Sequence, residues 1–132
     1  MLRWSSRLAI GVEEIDAQHR ELFEHINTLL EACSRRRGEE AIFEVIDFLD
    51  VYIADHFGTE EGLMRRHSYP DYHSHRAQHA KFAAEFSELK RRLKSGRISA
   101  VVIPTNRLLV DWWINHISRS DRELGDFLKS RL

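Results

Sequence analysis

The sequence predicts an all-α fold: an antiparallel, up-down-up-down four-helix bundle preceded by an N-terminal arm over residues 1–15. Three observations carry this. Apolar residues recur at alternating three- and four-residue steps along four stretches, the mark of a helix face packed against neighbours. The two prolines and six glycines fall mostly between those stretches. The breaks are short, which makes successive helices run antiparallel. At 132 residues the chain has the size of one domain, and no internal repeat, low-complexity stretch or dividing linker stands out.

The elements follow in order. Asp16 is placed to cap a first helix running towards Arg37, with Gly38 as its stop signal. A second starts at Glu39-Glu40, acids being favourable near a helix N-terminus, and runs to about His67. Ser68-Tyr69-Pro70-Asp71 breaks the chain, and Pro70 suits the entry to a third helix that continues to about Lys94, before Ser95-Gly96. A fourth begins near Pro104 and runs to about Ser118, resuming after a bend towards the C-terminus.

The predicted core seams expose an anomaly. The first helix gives His19, Leu22 or Phe23, Ile26, Leu29 and Cys33. The second gives Ile42, Val45, Leu49, Ile53, His56, Glu60 and Leu63, and the third Tyr72, His75, His79, Phe82, Phe86, Leu89 and Leu93. The fourth gives Val102, Asn106, Leu109, Trp113 (or Trp112) and His116. Five histidines and Glu60 thus stand where the pattern demands core. An unpartnered buried polar group costs about 1–3 kcal/mol, against a typical whole-protein stability of about 5–15 kcal/mol. Something must satisfy them. In an antiparallel bundle the starts of helices one and three share an end with the finishes of two and four, so all six meet at one level.

Composition narrows the function classes. A formal net charge of -1 offers no basic surplus for a phosphate backbone and no polybasic anchor, so no nucleic-acid or membrane partner is expected. No apolar run approaches the roughly 20 residues of a membrane helix, and the start lacks the features of a secretory signal. One cysteine, Cys33, permits no intrachain disulfide and fits a reducing compartment. The expectation is a cytoplasmic location.

Histidine is over-used, at eight residues. His56 with Glu60 and His75 with His79 are i,i+4 pairs, about 40° apart on a helix, so both members can reach one site. His116 and Asp121 are i,i+5, about 140° apart, so Asp121 joins only through a bend, a helix end or a π-bulge. Five imidazoles with two carboxylates suit iron or manganese. One tetrahedral zinc needs about four ligands, so seven groups imply two ions. Two octahedral ions have about twelve positions; five histidines, two bridging carboxylates and one bridging oxygen fill all but one. Such a vacancy suits a small ligand such as O2.

These residues carry a resemblance. Trp4 with Gly11-Val-Glu-Glu-Ile-Asp16-Ala-Gln-His19, His56-Phe-x-x-Glu60-Glu-x-x-Met64, Tyr69-Pro70, His75-x-x-x-His79-x-x-Phe82 and Trp112-x-x-x-His116-Ile-x-x-x-Asp121 together resemble the hemerythrins over almost the whole chain. The length resembles the bacterial single-domain members, and four-helix bundles of this kind include myohemerythrin. The resemblance implies two non-heme iron ions with an oxo or hydroxo bridge. It implies Glu60 and Asp121 as bridges, His75, His79 and His116 on one iron, and His19 and His56 on the other. That second iron would bind O2 reversibly at its open position, with no substrate turned over, for storage, delivery or buffering. Phe57 and Trp113 are expected to line the ligand pocket. Trp113 is also a departure, because the family typically has a pocket leucine three residues before the last histidine.

The blander positions are His25 and His73, which point away from the seams by helical phase, and His67 at a helix end. Cys33, about four turns or roughly 21 Å from His19, is expected in the core. The Ser34-Arg-Arg-Arg37 run reads as a solvated helix end. The rival function is an oxygen- or redox-sensing module whose di-iron state is read by a protein partner. A di-iron oxidoreductase is the weaker rival, since ferritin-like sites carry more carboxylate. Monomer and homo-oligomer both stay open.

Overall fold

The computed structural model describes residues 2–35, 39–96, 105 and 107–132 (of Glu39 only the backbone). The expected stop at Gly38, the arginines before it, the start near Pro104 and the seam positions Val102 and Asn106 lie outside the described residues. Among the described residues four long helices form: α1 (Glu13–Ser34), α2 (Glu39–Arg66), α3 (Tyr72–Lys94) and α4, described over 107–128. Contacts show the direction of each neighbour. His25 meets Phe48 while His19 meets His56; Lys94 meets Asp47 while Lys90 meets Asp50; Phe82 meets Trp112 while Gln78 meets Ser120. As one number rises its partner falls, so the bundle is up-down-up-down.

Among the described residues the seams pack as the periodicity requires, with two departures: Tyr72, expected on the α3 seam, is only half-buried at the first turn of that helix, and the α2 stripe is shifted. Ile46 is fully buried whereas Val45 is only half-buried. The core stripe of α2 passes through Ile42, Ile46, Leu49 and Ile53, one residue from the expected choice. Both Leu22 and Phe23 are buried, as are Cys33 and Trp113.

Asp16 does not cap α1, which starts three residues earlier, after Val12, with no side-chain cap. Its carboxylate turns back and accepts the amide protons of Ile10 (2.8 Å) and Gly11 (3.2 Å). A buried carboxylate satisfies two arm amides more effectively than one helix-end amide, and it still lies, with Glu13 and Glu14, in the first turn where acids favour the helix dipole. The arm lies across the end of α4. At Gly125 a Cβ would collide with the Ile10 carbonyl oxygen, so only glycine lets the two backbones approach. The fourth helix continues past Ser118 to Leu128 without the expected bend, its backbone staying helical through two π turns, Arg107–Asp111 and Ile117–Asp121.

Candidate metal centre

His19, His56, Glu60, His75, His79, His116 and Asp121 all come together at one level of the bundle, each at most 4% exposed. The π turn Ile117–Asp121 brings in the last of them. A π turn holds more residues than an α turn, so a residue five positions on lands where a fourth otherwise would.

The donors fall into two groups that share both carboxylates. In the larger, His79 Nε2 lies 3.1 Å from Glu60 Oε1, His116 Nε2 3.1 Å from Asp121 Oδ1, and His75 Nε2 touches both oxygens at 3.3 and 3.1 Å. In the smaller, His56 Nε2 lies 3.2 Å from Glu60 Oε2, and His19 Nε2 lies 3.5 Å from that oxygen and 3.1 Å from Asp121 Oδ2. Each carboxylate therefore gives one oxygen to each group. The smaller group has no described counterpart of His116, a nitrogen within 4 Å of the Asp121 oxygen alone.

The outer nitrogens fix the tautomers. The Nδ1–H of His56 donates to Gln18 Oε1 (2.7 Å), that of His116 to Gln78 Oε1 (3.0 Å) and that of His79 to Glu61 Oε2 (2.9 Å). These acceptors carry no proton, so in each neutral ring Nε2 is a bare lone pair aimed inward. Two such lone pairs, on His79 and His116, face each other at 3.1 Å. Glu60 Oε2 and both Asp121 oxygens are buried without a hydrogen-bond partner among the described residues. Only a cation or added protons relieve that crowding.

Without metal the chain uses protons. Burial disfavours the charged form of His19, but Asp121 and Glu60 outweigh it and push its pKa up to about 9; His75 rises to about 9 in the same way. Burial holds His56 below its ordinary value. Glu60 and Asp121 are held well below the usual carboxylate range, burial being overcome by the histidines around them.

The family model described as the hemerythrin HHE cation-binding domain matches residues 10–128. The chain belongs to the hemerythrin family. It is 35% identical to a bacteriohemerythrin of Stenotrophomonas maltophilia over all of this chain and 84% of that protein. It is 28% identical to a bacteriohemerythrin of Methylococcus capsulatus over 98% of both. A wild-type hemerythrin crystal structure superposes with a TM-score of 0.86 at 26% identity, covering 98% of each chain. Among the described residues, no helix is long and apolar enough to cross a membrane.

The structure also reveals a repeat that the sequence reading missed. His19 and His79, and likewise His56 and His116, stand 60 positions apart, as do Gln18 and Gln78. The core positions Leu22, Ile26, Leu29 and Cys33 reappear at the same offset as Phe82, Phe86, Leu89 and Leu93. Glu60 pairs with Asp121 one position late, the extra residue being absorbed by the π turn. The identical Ala-Gln-His at 17–19 and 77–79 was the available signal, and it also marks the two glutamines, each of which orients the histidine of the neighbouring helix. Glu61 was missed too. Its only sequence cue is adjacency to Glu60.

Aromatic rings enclose the centre. Phe57 lies flat on His79 (3.8 Å between centroids) and Trp112 flat on His116 (4.4 Å). Trp113, fully buried, packs 5.9 Å from His56 and 5.5 Å from Phe57. Of the other histidines, His73 is exposed, while His25 and His67 are half-buried, His25 packing on Phe48 and Tyr52.

Proposed function

We propose that this hemerythrin-family protein holds two non-heme iron ions joined by an oxo or hydroxo bridge and binds O2 reversibly, without turning over a substrate. The observation that carries it is the division of donors into groups of three and two histidines sharing both carboxylates. Glu60 and Asp121 would bridge; His75, His79 and His116 would hold one ion; His19 and His56 would hold the other and leave it one position short. When bound, the pair supplies the electrons that O2 binding needs. The chain supplies orientation through Gln18, Gln78 and Glu61. Phe57, Trp113 and the surrounding core keep water out, which favours reversible binding over loss of electrons to solvent.

The test is an optical spectrum of the reduced, iron-loaded protein with a metal count. An absorption band that appears in air and disappears when O2 is removed is expected, with two irons per chain. Irreversible oxidation without such a band would overturn the reading. His79→Ala should abolish binding of the pair, and a variant that kept both irons would refute the ligand assignment.

One observation favours an oxygen- or redox-sensing module as the second reading. Tyr52 donates to the backbone carbonyl of Gln18 (3.2 Å), whose side chain holds His56, and Tyr52 sits beside Phe48 and Val51, which are 54% and 63% exposed. A protein partner captured in one oxidation state and released in the other would support it.

A further inference from the structure

Trp113 carries an unsettled polar group. Its side chain is fully buried, and the indole Nε1–H has no acceptor among the described residues. Buried tryptophan N–H groups usually find a partner, and leaving a donor unpaired costs stability. The rings around it offer none. The side chains of Phe57 and Phe82 present only carbon, and the only polar side-chain atom of Trp112 is itself a donor. His56 and His116 donate their Nδ1 protons to Gln18 and Gln78 and commit Nε2 to the metal centre.

The position of this donor gives it a use. Trp113 packs against His56, a member of the smaller donor group. It also rides on α4, the helix that supplies Asp121, and the smaller group lacks its nitrogen on the Asp121 side. Its mate 60 positions earlier is Ile53, which has no donor.

We propose that the Trp113 indole N–H is a hydrogen-bond donor to a small anionic or diatomic ligand held at the open position of the His19–His56 ion. This rests on the reading of the site as an ion pair with one open position. The ligand brings the lone pair that the described residues withhold. A pocket leucine, as the family resemblance leads one to expect here, gives shape without a donor, so this chain would hold lone-pair ligands more tightly than an all-apolar pocket would.

The test uses the full-length, iron-loaded, oxidised protein with sodium azide as probe. Benzothienylalanine at position 113 keeps the ring size and replaces N–H by sulfur. Azide affinity should fall about tenfold, the scale of one lost hydrogen bond, with two irons retained. In addition, the stretching band of bound azide should shift in D2O for the natural protein. Equal affinity in both proteins, or no shift in D2O, overturns the hydrogen bond and leaves the O2-binding reading standing. If the natural protein holds two irons but takes up no azide, the open position falls and this proposal with it.

Discussion

At the scale of single residues, the centre depends on side chains that need never touch an ion. Gln78 receives the Nδ1–H of His116 and the hydroxyl of Ser120 (2.7 Å). Removing it frees the imidazole to rotate and to choose the wrong tautomer. Outer-sphere partners of this kind are worth about 10–100-fold in metal affinity. Gln78→Ala should therefore bind iron about 10–100-fold more weakly while the circular dichroism spectrum is unchanged, as a chelator titration would show; unaltered affinity would mean that packing against Trp112 alone orients His116. The residue scale is also where the sequence was least informative. Glu61 and Gln18 look like any half-exposed helix residues until the neighbouring helix brings a histidine to them.

At the scale of elements, the π turn at Ile117–Asp121 decides whether the second carboxylate reaches the centre. The other half of the molecule achieves the same with Glu60, four residues after His56, on an uninterrupted α-helix. Aspartate is one methylene shorter than glutamate, and through the π turn it reaches the centre five residues after His116 rather than four. Deleting Arg119, which is exposed, should convert the π turn to an α turn and leave the aspartate short, so iron is retained poorly. Combining the deletion with Asp121→Glu should restore two irons per chain. Metal analysis of both proteins decides it; if the deletion alone keeps both irons, the turn is a tolerated insertion with no role in reach.

At the scale of the whole molecule, protons hold the interior that the proposed metal pair would occupy. His19 and His75 have pKa values of about 9 in the metal-free fold against an ordinary 6.5. A raised folded value stabilises the fold fully below pH 6.5, and that stabilisation is lost as the pH climbs through 9. The metal-free protein should therefore melt at progressively lower temperature from pH 6.5 to 9. Over the same window iron binding must displace up to two protons, so apparent iron affinity rises with pH and uptake at pH 7 releases acid. Melting curves and a pH-indicator titration check both halves; iron uptake at pH 7 without proton release would contradict the assignment of these histidines. The same competition explains why a bundle tolerates so many buried polar groups. In either state a positive charge sits among the carboxylates.

The sequence by itself determined the four helices, their antiparallel order and six of the seven centre residues, because helical phase and short connections are local properties that periodicity records. It placed Asp121 only conditionally, since i,i+5 spacing on a straight helix points away. Tertiary structure decided the rest. The chain had to fold before Asp16 could be seen serving the arm rather than capping α1, and before Ile46 could be seen displacing Val45 from the core. It had to fold before the glutamines of one helix met the histidines of the next. Those outcomes depend on which groups from distant stretches compete for the same hydrogen bond or the same space, and that competition exists only once the helices are side by side.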